Sequence, residues 1–287
     1  MQDLSDQEFM LLSDFIYHTC GIVVREDKKY LITQRLGPLA QQAGCKTFGD
    51  YYRKLKEEEA NEQNRLKIIE AITTNETSFF RDEHPFEAIR SNILPSLFDT
   101  LKKQKTQGPF QNLKLRIWSA ASSTGQEPYT LAIIVRELLQ NCVGNSISSS
   151  DIRILATDIS CAVLARAISG KYNEIEISRG LNDEHKKKYF RKEGTQWHII
   201  DSIKEMVEFR QVNLVKPFSA IGTFEFIVCR NVLIYFDDKT KSRILNQFYD
   251  MLTPGGFLVL GAMENTYCLT DKFSSLRFGK TIVYAKQ

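Results

Sequence analysis

A chain of 287 residues with 43% hydrophobic and 25% charged residues has the composition of a folded globular protein, which excludes a largely disordered one. Its formal net charge of +3 excludes wholesale nucleic-acid binding, which needs a stripe of uncompensated Lys and Arg. The length exceeds one compact domain, so a catalytic domain with a smaller partner is expected.

From Leu4 to about Thr73 apolar residues recur at helical spacing, as in Phe9, Leu12, Phe15 and Ile16 and again in Leu66, Ile69 and Ile72. Breaks at Gly21, Gly37-Pro38 and Gly44 divide this stretch into four or five short helices, with Ser5 as the first N-cap. An all-α N-terminal domain is therefore expected over residues 1–73, followed by a linker and connecting helix over 74–113. Arg25, Lys28, Lys29 and Arg35 cluster in the helical part and read either as a solvated face or as a local basic patch.

From about Lys114 short apolar runs alternate with helices: LRIWSA, EPYTLAIIVRELLQ, IRILATDI and CAVLARAI. That rhythm predicts an α/β catalytic domain over 114–287 with a parallel, doubly wound, Rossmann-like sheet. The run EHKKKYFRK and the candidate strands WHII and MVEFRQVN interrupt it, predicting a small inserted antiparallel β-subdomain over about 172–213. FEFIVCRN resumes the sheet, a helix follows at about Lys239–Leu252, and Thr253-Pro254-Gly255-Gly256 reads as a turn before FLVLGAM.

The six cysteines (Cys20, Cys45, Cys142, Cys161, Cys229, Cys268) form no C-x-x-C pair, which disfavours a zinc site and a disulfide framework. The N-terminal stretch carries no basic head with an apolar run, and no window approaches a membrane span of ~20 apolar residues. A cytoplasmic location without membrane insertion is expected.

Chemistry concentrates at three strand ends. RIWSAASSTGQEPYTLAI is a strand, a small-residue loop and a helix beginning near Glu127-Pro128, and small residues let backbone approach a ligand. Asp158, ending the next strand, can accept hydrogen bonds from ribose hydroxyls or cap the helix near Ser160. CRNVLIYFD brings Asn231 to the mouth of a later strand, followed by Tyr235, which reads equally as core packing. No Ser/His/Asp or Cys/His set is present, and His18, His84, His185 and His198 read as surface or packing residues.

Taken together, TTNETSFFRD at 73–82, SAASSTGQEPYTLA, ATDIS, VNL at 212–214, CRNVLIYFD and PGGFLVLGAMEN resemble the CheR chemotaxis methyltransferases in order and spacing. GIVVREDKKYLITQRL and FGDYYRKL resemble that family's helical domain, so the resemblance spans essentially the whole chain. It implies an S-adenosylmethionine-dependent protein-glutamate O-methyltransferase that leaves S-adenosylhomocysteine and uses no metal. It further implies that Asn75, Thr77 and Arg81 approach the cofactor from the N-terminal side, that Glu127 holds its methionine part and Asp158 its ribose. Asn213-Leu214 and Asn231-Val232 would enclose the adenine and the sulfonium end, with Arg81 and Tyr235 nearest the transferred methyl group.

For Arg81 the alternative is a salt bridge tying the domains together. The implied partner is the cytoplasmic helical bundle of methyl-accepting chemotaxis receptors, with no nucleic acid, and a monomer is expected. Arg25, Lys28, Lys29, Arg35, Arg53 and Lys54 would read that acidic bundle by salt-dependent steering. The insert lacks the glycine-rich element with which family members grip a receptor's C-terminal pentapeptide, so docking without that tether is expected. Met263 in GAMEN stands where the family more commonly has His. The main alternative to an active enzyme is a catalytically weak cofactor-binding regulatory module; a DNA amine methyltransferase is disfavoured because no proline follows Asn231 in the cradle position.

Overall fold

Ser5 starts the first helix in the way its spacing to Glu8 predicts. In the computed structural model, which describes residues 3–57, 61–107, 113–141 and 147–287, its hydroxyl accepts from the Glu8 N–H while the Glu8 carboxylate accepts from the Ser5 N–H at 2.9 Å. Cys142 lies outside the described residues. Helix α1 (Asp6–Cys20) ends at Gly21 in the left-handed conformation. A 3-10 turn at Glu26–Lys28 leads into α2 (Lys29–Gln42), followed by α3 (Phe48–Glu57) and α4 (Glu62–Ile72). Leu12, Ile16, Ile32, Leu36, Phe48 and Ile68 close a core between these four helices, separate from that of the sheet.

The stretch expected as a linker is instead part of the catalytic core. After an extended run from Thr73, α5 (His84–Ala88), a π-helical turn (Ile89–Ile93) and α6 (Leu94–Gln107) lay Phe86, Ile89, Ile93, Leu97 and Phe98 against the sheet. Connecting segments expose backbone, whereas this one carries a continuous apolar face that water would solvate at a penalty.

The remainder runs β1 (Leu115–Ala120), α7 (Gln126–Asn141), β2 (Ile152–Asp158), α8 (Cys161–Ser169), β3 (Lys171–Asn173), α9 (Glu174–Ser178), α10 (Asp183–Tyr189), β4 (Phe190–Glu193), β5 (Gln196–Ile199), α11 (Asp201–Lys204), β6 (Val207–Gln211), β7 (Phe224–Cys229), α12 (Asp238–Met251), β8 (Leu252–Leu260), β9 (Ser274–Phe278) and β10 (Thr281–Ala285). Seven strands form one sheet in the order β6-β2-β1-β7-β8-β10-β9. It is parallel from β6 to β8 and antiparallel through β10 and β9. Strands β1, β2 and β7 are buried on both faces, the expected texture of a sheet covered by helices. The chain winds outward from β1 in both directions, which opens a crevice at the carboxyl ends of β1, β2 and β7.

A separate sheet, β3-β5-β4, is antiparallel. It is smaller than the expected insert, because Val207–Gln211 leaves it and pairs in parallel with β2 as the edge of the main sheet. Alternating polar and apolar residues suit an edge strand of either sheet, so periodicity alone does not assign it. Thr253–Gly256 likewise sits inside β8 as an irregularity, with the register against β7 jumping between Phe224 and Phe226. Gly255 takes φ +77° there and donates to the Lys286 carbonyl. Among the described residues no helix is long and apolar enough to cross a membrane.

Candidate active site

The crevice forms a cleft walled by the carboxyl ends of the strands, the 73–81 segment and the end of the helical domain, the place where ligands bind in open α/β sheets. Asn75, Thr77, Arg81, Glu127, Asp158, Asn213, Leu214, Asn231, Val232 and Tyr235 all line it, so every residue named for the cofactor or the methyl group shares one space. Cys20 and Ile22, from the end of α1 and the strap after it, close the same cavity from the helical domain.

Each side chain is set by a nearby backbone device. Asp158 ends β2, where its two carboxylate oxygens accept from the N–H groups of Ser123 at 2.9 Å and Ser160 at 3.0 Å. Ser160, not Asp158, is the N-cap of α8, its hydroxyl accepting from the Val163 N–H. A carboxylate offers about four lone-pair sites, so Asp158 keeps acceptor capacity toward the cavity. Burial raises its carboxyl above the ordinary value, and the backbone N–H groups of Ser160 and Ser123 pull it back.

Glu127 lies in the first turn of α7. Its Oε1 accepts from the Ser119 hydroxyl at 2.9 Å and its Oε2 from Arg230 Nη1 at 3.3 Å. Burial raises this carboxyl too, against the pull of the Arg230 guanidinium and the Ser119 hydroxyl. Arg81 donates from Nη1 to the Glu76 carbonyl at 2.8 Å and makes no ion pair among the described residues, so it does not tie the domains together by a salt bridge. Its other N–H donors and the Tyr235 hydroxyl have no hydrogen-bond partner among the described residues. Asn213 bridges to the helical domain, donating to the Thr19 carbonyl at 3.3 Å.

Arg230, next to Asn231, ties segments of the catalytic core to one another instead, a role its place in the sequence does not reveal. Its side chain is only 2% exposed, yet its Nη2 donates to Asp82 Oδ2 at 2.7 Å and to the Arg81 carbonyl at 2.9 Å. The guanidinium also stacks over Phe86 at 5.1 Å. A charged residue directly after the apolar run 226–229 was the available signal, since a buried guanidinium must find partners. Glu264 was similarly unassigned. Its Oε2 accepts from the N–H groups of Asn231 at 2.8 Å and Gly261 at 2.7 Å, and its Oε1 from that of Ile234 at 3.2 Å.

Strain gathers here as well. Phe80, Asp82, Glu83, Ala121, Ser123 and Asn231 all have positive φ, and among the described non-glycine residues only Cys268 shares that feature elsewhere. Each such residue costs about 1–2 kcal/mol, an expense tolerated where a binding site needs a fixed backbone.

S-adenosylmethionine fits this wall on an observation of the wall itself. Ser122 Oγ and Arg230 Nε are buried without a hydrogen-bond partner among the described residues, and both residues line the cavity. Together with Asp158 and Glu127 they offer the mix of donors and acceptors that a zwitterionic, ribose-bearing ligand requires. Burial pushes the Cys20 thiol in the same wall up to about 11, so it stays protonated near neutral pH and is no nucleophile. No cluster of His, Cys, Asp and Glu among the described residues could hold a metal.

The basic residues expected to dock a receptor divide. Arg35 is committed to the end of α4, donating to the carbonyls of Ala71, Ile72 and Thr73 and to the Thr74 hydroxyl. A guanidinium satisfying orphan helix carbonyls is a cap, which corrects its reading as a docking residue. Lys29 pairs with Asp6, Arg53 with Asp50, and Lys54 donates to the Ala43 carbonyl. Arg25 and Lys28 are exposed and unpaired among the described residues.

Known sequences agree with this geometry. Residues 7–73 match the family model described as CheR methyltransferase, all-alpha domain, and residues 75–282 match CheR methyltransferase, SAM binding domain. The chain is 39% identical over 282 residues to a chemotaxis protein methyltransferase of Vibrio anguillarum, covering 98% of this chain and 97% of that protein. Chemotaxis protein methyltransferase 1 of Pseudomonas aeruginosa is 36% identical, with 98% of each chain covered. The Escherichia coli chemotaxis protein methyltransferase is 33% identical, covering 94% of this chain and 88% of that protein.

Proposed function

We propose that this chain, which belongs to the CheR methyltransferase family, methylates glutamate side-chain carboxylates on the cytoplasmic helical bundle of methyl-accepting chemotaxis receptors. The products are glutamate 5-O-methyl ester and S-adenosylhomocysteine. One observation carries the reading: Arg81 and Tyr235, which have hydrogen-bonding groups without a partner among the described residues, line the same cavity as Asp158 and Glu127.

Bound S-adenosylmethionine supplies a methyl group already activated by its sulfonium. The chain's own residues then have to bind, align and exclude water. Asp158 accepts from the ribose hydroxyls through its remaining lone pairs, and Glu127 holds the methionine part. Asn75, Thr77, Asn213, Leu214, Asn231 and Val232 enclose the rest. A glutamate side chain ionises at about pH 4.3, so near neutral pH it enters as an oxygen nucleophile and needs no general base. Arg81 presents paired N–H donors that attract the carboxylate and fix its plane, and the Tyr235 hydroxyl orients it. Arg25 and Lys28 steer the acidic bundle toward this mouth without a receptor-tail tether.

Titration calorimetry with S-adenosylmethionine and S-adenosylhomocysteine tests the cofactor half, and a base-labile radiolabelled methyl ester on a receptor cytoplasmic fragment tests the acceptor half. Absence of binding to either compound overturns the whole reading. A bound cofactor with no labelled ester overturns the acceptor.

A further inference from the structure

The large apolar side chains left exposed are not scattered evenly. Ile234, Met263 and Tyr267 are 49%, 85% and 82% exposed and line one groove with Leu233 and Leu269, beside the polar Asp238, Lys241, Glu264 and Asn265. Ile234 is the residue before Tyr235, so the groove begins where the cavity wall ends. On the other side, the Val23 N–H donates to the Tyr235 carbonyl at 2.9 Å, and the Val23 side chain is 40% exposed. Tyr235 therefore sits between two flanks that each carry exposed apolar side chains, one from each domain.

The flanks are held firmly. Glu264 ties Gly261, Asn231 and Ile234 by three backbone hydrogen bonds, and the Ser242 hydroxyl donates to the Leu269 carbonyl at 2.7 Å. Single exposed apolar residues are ordinary, but a preorganised group at the rim of a reaction cavity marks a contact surface.

We propose that Val23, Ile234, Met263 and Tyr267 form a seat for the apolar stripe of the acidic amphipathic helix whose glutamate enters the cavity. The inference rests on the acceptor proposed above and specifies how it is gripped. The groove adjoins the cavity through Ile234 and Tyr235, and Val23 is bonded to Tyr235 from the other side, so the protein that presents a glutamate to Tyr235 is the occupant these residues would meet. On a helix, residues three, four and seven positions from the reacting glutamate share its side, so apolar residues there fall on the seat while the glutamate points inward. Exposed Arg25 and Lys28 follow Val23 on the same strap and complement acidic residues beside that stripe. Steering by charge thus comes first and apolar contact sets residence, as in helix-in-groove recognition.

The test uses the full chain carrying Met263→Ser and Tyr267→Ser, neither of which contacts the cofactor cavity. Calorimetric affinity for S-adenosylmethionine should stay at the wild-type value, showing an intact fold and site. The KM for a receptor cytoplasmic fragment should rise roughly tenfold or more, the effect of losing two buried apolar side chains, while kcat at saturating fragment is unchanged. Restoring bulk with Met263→Leu and Tyr267→Phe should return KM to near wild type. If wild type methylates the fragment and the serine variant has the same KM, the seat is wrong and the proposed function stands. If wild type forms no ester on the fragment, the proposed acceptor fails and the occupant of the seat fails with it.

Discussion

Arg230 Nη2 lies 2.7 Å from Asp82 Oδ2 and thereby fastens the end of β7 to the segment that carries Arg81. The same guanidinium reaches Glu127, so one buried cation registers three parts of the cavity wall at once.

Arg230→Ala should therefore destabilise the protein by about 3 kcal/mol or more, because Glu127 is left buried without its cation and the 81–82 segment loses its tether. Arg230→Lys should recover part of the stability but not the affinity for S-adenosylmethionine, since an ammonium cannot reproduce the fork. Denaturant titration and calorimetry on both variants measure the two effects. Wild-type affinity in Arg230→Lys would show that the fork is not needed.

Gly21 is a point where the helical domain meets the catalytic core. It has φ +76°, and a Cβ there would stand 2.3 Å from Val215 Cγ1 and 3.3 Å from the Phe236 ring. Gly21→Ala combines left-handed strain of about 1–2 kcal/mol with that clash. The expected result is a lower Tm and weaker cofactor binding, because Val215 follows the Asn213-Leu214 pair and Phe236 follows Tyr235. A melting scan with and without S-adenosylmethionine reads both, and a variant with unchanged ligand-induced stabilisation would place the strain outside the site.

Arg35 and Lys28 should behave oppositely although both belong to one basic cluster in sequence. Arg35→Ala strips the carbonyl cap from α4 and should lower Tm without altering the salt dependence of methyl transfer. Lys28→Glu, at an exposed position, should leave Tm unchanged and weaken transfer to an acidic receptor fragment most at low salt. Identical salt profiles for Lys28→Glu and wild type would remove Lys28 from steering.

These cases show where sequence is legible. Strands β1, β2 and β7 were readable because each is a short, mostly apolar run, and the α1 cap because Ser5 and Glu8 interact over three positions. Arg35 was misread because its partners lie 36 to 39 positions away, and charge density says nothing about such commitments. Arg230 and Glu264 were missed for the same reason, their ties running across the sheet or between loops. Val207–Gln211 was assigned to the wrong sheet because alternation specifies an edge, not its neighbour. Residues such as Thr77 and Arg81 had no local signal at all, and only resemblance to a family singled them out before the cavity brought them together.

Asp158 also makes cofactor binding depend on pH in a direction that can be worked out. Burial raises its carboxyl above the ordinary 3.8, so the folded apo protein holds the proton more tightly than the unfolded chain does. Between those two values the native state binds more protons, and stability falls as pH rises through the raised value. Ribose hydroxyls donating to Asp158 favour its charged form, so binding should expel a proton within that window. Affinity for S-adenosylhomocysteine should accordingly climb as pH rises through that raised value and then level off. Calorimetry in two buffers of different ionisation enthalpy should register proton release in that window and none on the plateau. Asp158→Asn should abolish the part of the proton release due to this group and weaken binding by roughly 10- to 100-fold, the range for losing hydrogen bonds to a charged acceptor. If that variant keeps both the affinity and the pH profile of wild type, Asp158 is only a brace for Ser123 and Ser160.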